Sequence, residues 1–204
     1  MLNEILVGVQ SVNDGTVTKA RGGKQGDQII SGYHGPYYEQ TYRGKGFHVA
    51  STVVETTSVG LNTTYTGLVL SNPITSPVNL VINKASVGQS VLQATQPEAY
   101  FLATGFNATT NVTHTTALTI RTNLIGSGLT SQATADRSAA LPTAPFYTMF
   151  VTQTAENASD STVGVVDIGG SIILMPGAYI LWVTPAQASV AGMWFSFMWE
   201  EVPI

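Results

Sequence analysis

Short runs in which apolar and polar residues alternate are separated by glycine and proline along most of the chain, and the stretch 169–203 shows this pattern best. Alternation with a period of two places every second side chain on the same face of a strand, so this stretch predicts three strands, at 171–175, 179–184 and 193–200. Pro176 and Gly177 predict a turn between the first two, because proline fixes φ and glycine readily adopts a positive φ.

The last of these strands is mostly apolar on both faces, since Trp194 and Met198 alternate with Phe195, Phe197 and Trp199. A strand that is buried on one side only alternates more cleanly between apolar and polar residues. We therefore expect its second face to be covered by another sheet or another subunit. Trp194 and Trp199 are an odd number of positions apart, which predicts opposite faces, with Trp199 in the core and Trp194 in an interface or a second layer.

Further strands are predicted near 47–56, 65–71, 77–87, 98–104, 112–122, 145–154 and 162–168, and the pair 65–71 and 77–87 is expected to form a hairpin. The stretch 126–144 predicts a long loop or a short helix. Roughly eight to ten short strands with almost no helical periodicity indicate an all-β sandwich or barrel. We expect a jelly-roll-like antiparallel β-sandwich, because the strand count fits two four-stranded sheets.

Residues 1–45 differ from the remainder and predict an extended N-terminal arm, followed by a β-sandwich domain at 46–204. The arm holds five basic and four acidic residues, whereas 46–204 holds three basic and eight acidic residues. A glycine-rich basic run at 19–27 is followed by a tyrosine cluster at 33–38, and the arm is expected to dock either on another subunit or on its own domain. The predicted assembly contacts are Lys19, Arg21, Lys24, Tyr33, Tyr37, Tyr38 and Arg43 in the arm, and Trp194 in the last strand.

Charged residues make up only 10% of the chain, against roughly 25% in ordinary soluble domains. A surface so poor in charge favours association, which predicts a homo-oligomer whose interfaces cover it; the alternative is a monomer coated with Thr and Ser. The net charge of −4 disfavours nucleic acid and anionic membranes as partners. The chain has no cysteine, no membrane-length apolar run of roughly 20 residues, and no basic start that would predict a signal peptide.

Catalytic and metal-binding motifs are missing from the sequence. His34, His48 and His114 are not in a paired-ligand spacing, and each is interpreted as a polar or interfacial histidine. No G-x-S-x-G elbow occurs, and the glycine-rich run at 22–26 lacks the order of a phosphate-binding loop. We expect no enzymatic activity, no cofactor and no metal site.

Five segments in order along the chain carry a resemblance: HGPYYEQTYRG at 34–44, FHVAS at 47–51, TYTGLVLSNP at 64–73, VNLVI at 78–82 and WEEVP at 199–203. Together they resemble a group of structural proteins encoded by tailed bacteriophages, which are small β modules of the virion surface and often trimeric. The resemblance implies a structural role on the virion, and no functional residue is carried over from it.

The leading hypothesis is therefore a bacteriophage capsid decoration or cement protein, made in the host cytoplasm and located on the capsid surface. It would form a homo-oligomer, with a trimer favoured, and bind the major capsid protein or other virion proteins. The alternative is a host- or carbohydrate-binding head-fibre or tail module. A hydrolase of surface polysaccharide is a third hypothesis, which the sparse carboxylates disfavour because glycoside hydrolysis needs two of them across a cleft.

Overall fold

A computed structural model describes residues 35–91, 99–153, 163–186 and 192–204. This part of the chain contains one short helix, α1 (Tyr38–Tyr42), and eleven strands. The strands are β1 (Gly46–Ala50), β2 (Thr64–Ser71), β3 (Val78–Gln89), β4 (Ala99–Phe106), β5 (Thr113–Ala117), β6 (Arg121–Thr122), β7 (Thr134–Ala140), β8 (Phe146–Gln153), β9 (Val163–Leu174), β10 (Ala178–Val183) and β11 (Met193–Pro203).

The strands form two antiparallel sheets with the topology of a jelly roll. The first sheet has the order β6-β1-β11-β3-β9 and the second has the order β5-β7-β2-β10-β4-β8. From β1 to β4 the chain alternates between the two sheets. Strand β8 then pairs with β4 in the second sheet, and from β9 to β11 the chain alternates between the sheets again. The predicted jelly-roll sandwich is thus confirmed, with two four-stranded sheets at its centre.

The segment between β4 and β8 adds three strands to this plan. Strand β6 extends the first sheet beside β1, whereas β5 and β7 extend the second sheet beside β2. The prediction of a loop or helix at 126–144 was wrong at β7, because pairing with strands on both sides overrides the weak strand propensity of its Ala, Asp and Ser residues. The predicted single strand at 112–122 is divided between the two sheets.

Two other local predictions were wrong. Strands β2 and β3 do not form a hairpin, because β2 pairs with β7 and β10 whereas β3 pairs with β9 and β11. The turn between them closes with a 3.0 Å hydrogen bond from Ser76 N to Pro73 O and crosses from one sheet to the other. The strands predicted at 162–168 and 171–175 are one strand, β9, which continues through Gly169 and Gly170 at φ values of 56° and 81°.

The core between the sheets is built from aromatic and branched side chains. The indole of Trp182 on β10 stacks on Phe195 and Phe197 of β11, with ring centroids 5.5 Å and 6.0 Å apart. Trp199 stacks on Phe47 of β1 at 6.3 Å and has no exposed surface. These contacts tie the last strand to both sheets and leave the alternate side chains of β11 on the outside.

A second apolar cluster lies on the other face of the second sheet. Tyr179 and Leu181 belong to it, whereas Ile180 and Trp182, which alternate with them, belong to the core between the sheets. Strand β10, in the interior of the second sheet, is therefore buried on both faces. Residues from neighbouring loops complete the cover, namely Leu61, Val112 and Leu141.

The sandwich belongs to a compact unit that runs Glu39–Ile204. Residues 39–45, which we predicted to be the end of the arm, lie in this unit. Glu201 N donates a 2.9 Å hydrogen bond to Lys45 O, and a β-carbon on Gly44, where φ is 68°, would collide with Leu129 Cδ1. Residues 1–34 lie outside the described part of the chain, so the extended arm stays a prediction.

Candidate assembly surface

Trp194 is the largest exposed apolar side chain on the outside of the first sheet. It is 41% exposed, whereas Trp199 on the same strand is fully buried. The predicted placement of the two indoles on opposite faces, with Trp199 in the core, is confirmed. The indole Nε1 of Trp194 donates a 3.2 Å hydrogen bond to Ser90 Oγ at the end of β3, which fixes the ring at one end of the sheet.

A groove of about 310 Å³ lies beside this indole. Cross-strand pairing puts Trp194, Gly88 and Val163 in one row, so the row has no side chain at its centre. In the next row Ser86 and Ser196 share a hydrogen bond between hydroxyl oxygens 2.5 Å apart. Because both side chains are small, the groove stays open above them. We call this feature the Trp194 groove; it is bounded by Trp194, Gly88, Ser86, Ser196, Val163 and Val165.

Strand β9 forms the open side of this groove and is the last strand of the first sheet. Its outward side chains Val163 and Val165 are 69% and 66% exposed, and Ile173 further along is exposed as well. Asp167 of β9 lies 3.9 Å from Nζ of Lys84 on β3, and this ion pair follows the row of Ser196, Ser86 and Val165 along the sheet. An edge strand with exposed valines is the kind of element that proteins normally cover.

Strand β8, at the edge of the second sheet, carries an exposed aromatic cluster. The ring of Phe101 on β4 lies 4.8 Å from that of Tyr147 and 5.3 Å from that of Phe150, and both of these β8 residues are exposed. The two edge strands meet on the same side of the sandwich, since a β-carbon on Gly164 of β9 would lie 2.7 Å from Thr152 Cγ2 of β8. Exposed apolar residues therefore continue from one sheet edge to the other.

The predicted assembly contacts do not all lie together. Arg43 forms a 2.5 Å ion pair with Glu39 and precedes Gly46, which pairs with Glu200. Glu200 is six residues from Trp194 along β11, which places the two ends roughly 20 Å apart. Tyr37 is half-buried and Tyr38 is exposed. The other predicted contacts lie outside the described residues, namely Lys19, Arg21, Lys24 and Tyr33.

The sequence reasoning missed the residues that complete the groove. Gly88 lies just beyond the strand predicted at 77–87. Val163 and Val165 were placed in the strand predicted at 162–168, but the face of the sheet on which they lie was not predicted. Their local signal is the V-G-V-V run at 163–166, in which every second residue is valine. Only the register across three strands brings them beside Trp194.

A histidine and a carboxylate pair on the second sheet. His114 Nδ1 on β5 lies 2.5 Å from Oδ2 of Asp136 on β7, and Asp136 is fully buried whereas His114 is exposed. The imidazole can donate this hydrogen bond, which pairs a carboxylate that burial would otherwise leave unpaired. His48 is held in a similar way by a 2.7 Å hydrogen bond to Asn123 Oδ1, and His34 lies outside the described residues.

Glu55 supplies a second buried carboxylate in the connection between β1 and β2. Its Oε2 lies 3.3 Å from Nε of Arg137 on β7, and its backbone bonds to that of Met193. Burial raises the pKa of Glu55, and the nearby Arg137 guanidinium opposes this rise. The ion pair therefore joins the loop between the sheets to the second sheet, and the backbone bond to Met193 joins it to the first, which is typical of a structural contact.

In the part of the chain that the structure describes, no group of three or more His, Asp or Glu side chains could hold a metal ion. The same residues contain no helix that is long and apolar enough to span a bilayer. Comparisons with known protein families, with curated proteins and with solved structures find no match.

Proposed function

We propose that this protein is a structural component of a bacteriophage virion, a decoration or cement module that self-associates and docks on the capsid surface. The observation that supports this most is the exposed apolar group of Trp194, Val163 and Val165 on the outer face of the first sheet, with the groove between them. A sandwich whose core is already complete has no need of this face for its own folding. Exposed apolar patches of this kind are typical of protein interaction sites.

The buried polar groups support a structural role as well. The carboxylates of Glu55 and Asp136 are paired with Arg137 and His114, and both pairs connect strands or loops of the sandwich. The sequence resemblance to phage structural proteins supplies the virion context. In this proposal the chain forms a homo-oligomer, with a trimer favoured, and its basic arm binds the major capsid protein or another shell protein.

Reconstitution on capsids tests this function. Capsids from a phage in which this gene is deleted are mixed with the purified full-length chain, and bound protein is counted after sedimentation. We expect saturable binding at a fixed number of copies per capsid. Reversing the three arm charges with Lys19→Glu, Arg21→Glu and Lys24→Glu should weaken binding, whereas the control Arg121→Glu on β6 should not. Failure of the full-length chain to bind capsids at any concentration would falsify the proposal.

A host- or carbohydrate-binding head-fibre or tail module is the second candidate function. The observation that favours it is the half-exposed indole of Trp194 next to the hydroxyl groups of Ser86 and Ser196. An exposed aromatic face with polar neighbours can stack on a sugar ring. Binding of the labelled chain to host cells or to their isolated surface polysaccharide, lost in Trp194→Ala, would support this candidate, and its absence would exclude it.

A further inference from the structure

We propose that the Trp194 groove is the contact between copies of this chain, with the indole of one copy inserted into the groove of a second copy. This inference rests on the proposed function, because it names the surface through which the module self-associates. It concerns the first sheet only and leaves the capsid contact to the arm.

Shape is the first argument. The indole protrudes from one end of β11, and its hydrogen bond to Ser90 holds it in place. The groove beside it is about 310 Å³ and has Gly88 at the centre of its floor. A tryptophan side chain buries roughly 150–250 Å² when it is fully covered. A protruding ring and a recess lie side by side on the same face, so two copies can each offer what the other accepts.

Area is the second argument. Strands β11, β3 and β9 contain 11, 12 and 12 residues. Strands that lie about 4.8 Å apart and rise about 3.3 Å per residue give these three an outer face of roughly 550 Å². The five residues of β1 add about 80 Å² at the same spacings. If this whole face were covered, two copies would bury about 1,260 Å² in total, close to the lower limit for a specific interface.

The charges on this face favour a second copy as the occupant. Lys84 and Asp167 lie side by side at the end of the Trp194 groove, one positive and one negative. Rotating a copy of this face onto itself can bring each charge near its opposite, whereas a partner patch of a single sign would repel one of them. Two-fold symmetry would insert both indoles at once, and a closed ring of three would use each indole and each groove once.

The test measures the mass of the full-length chain in solution by light scattering over a range of concentrations. We expect an oligomer for the wild type and a mass near 21.5 kDa for Trp194→Ala at micromolar concentration. Loss of a hot-spot aromatic residue should weaken association by at least about 30-fold. Ile125→Ala removes another exposed apolar side chain, in a loop, and serves as the matched control that should keep the wild-type mass.

Gly88→Leu distinguishes insertion of the indole into the groove from non-specific hydrophobic association. A β-carbon at Gly88 has nothing within 4 Å, and this glycine is not among those with positive φ, so the monomer should accept the new side chain. Leucine would fill the groove and block the incoming indole, although the surface becomes more apolar. We expect association to fall as in Trp194→Ala, whereas Thr113→Leu, which adds the same side chain to exposed β5, should have no effect.

The outcomes separate this inference from the proposed function. A wild-type oligomer whose mass is unchanged in both Trp194→Ala and Gly88→Leu, or stronger association of Gly88→Leu, overturns the groove contact. Capsid binding measured on the same samples then still tests the virion role. A wild-type monomer overturns the inference as well, and circular dichroism of each variant shows that a changed mass does not come from unfolding.

Discussion

The outer faces of the two sheets are treated differently by the chain. On the second sheet Tyr65 and Tyr179 are fully buried in a cluster that the loop residues Leu61, Val112 and Leu141 complete. On the first sheet Trp194, Val163 and Val165 are exposed beside a groove. The chain covers the apolar cluster on one outer face with its own residues and leaves Trp194, Val163 and Val165 on the other outer face uncovered.

The side chains of the two faces differ in a way that fits this division. The hydroxyl of Tyr65 donates to Trp182 O, and that of Tyr179 donates a 2.6 Å hydrogen bond to Thr143 O. These hydroxyls satisfy backbone groups of the same chain, so their partners are already fixed. The open face offers an indole, two valines and a glycine, which fit any apolar group of the right shape. The open face also uses its polar atoms within the chain, since Trp194 Nε1 donates to Ser90 Oγ and the hydroxyls of Ser86 and Ser196 bond to each other. The two faces therefore differ in whether their apolar side chains are covered.

Trp199→Ala and Trp194→Ala give the largest expected contrast. Removing the buried indole of Trp199 should lower the free energy of unfolding by about 3–5 kcal/mol, because a large core cavity forms. Removing Trp194 should change the stability of the monomer by less than about 1 kcal/mol, since much of this side chain remains in water. Urea unfolding at low protein concentration measures both. Equal losses would mean that the outer face of the first sheet is part of the folding core.

His114→Ala tests the covered side of the second sheet. Asp136 pairs directly with Val69, which belongs to the covered cluster, so its carboxylate lies under that cover. Without His114 the buried acceptor loses its partner, which should cost about 1–3 kcal/mol in unfolding free energy. The matched control is His48→Ala, whose partner Asn123 is half-buried and uncharged, and for which we expect a smaller loss. Equal effects in the two variants would contradict a special role for the buried carboxylate.

Tyr179→Phe removes only the hydroxyl that ties the covering loop to the second sheet. We expect a loss of about 1 kcal/mol, the typical net contribution of one hydrogen bond. Hydrogen exchange should also become faster in the loop at 141–145 but not in β11, because the bonded group is Thr143. Unchanged exchange in this loop would show that apolar contacts alone hold the cover in place.

Glu55→Gln should give the smallest effect, on the pH dependence of stability. Burial raises the pKa of Glu55 above its ordinary value of 4.5, so the folded chain binds this proton more tightly than the unfolded chain. The contribution of this group to the free energy of unfolding therefore falls as the pH rises from 4.5 to the raised pKa. The glutamine variant should flatten that part of the curve in urea unfolding between pH 4 and 7. A steeper fall would show that Arg137 outweighs burial.

Alternation along the chain was enough to predict the faces of the last strand, and the number of predicted strands was enough to favour a jelly roll. It was not enough for the connection between β2 and β3, because the Asn72-Pro73 and Ser76-Pro77 turns are compatible with a hairpin or with a crossing between sheets. Strand β7 escaped prediction because its stability comes from pairing with β2 and β5 rather than from its own residues. The groove needs Trp194, Gly88 and Val163 in one row, and such a register depends on contacts distant in sequence.

The pairing of β1 with β11 has a mechanical consequence. Gly46, where the chain enters the sandwich, pairs with Glu200, and Trp194 lies at the opposite end of β11. A pull on residue 45, with the sandwich held at Trp194, therefore runs parallel to the strands. The hydrogen bonds between antiparallel strands are perpendicular to this direction, so the five residue pairs of β1 and β11 share the load in shear instead of separating one after another. An attachment built in this way resists force better than a strand that can be peeled from its end.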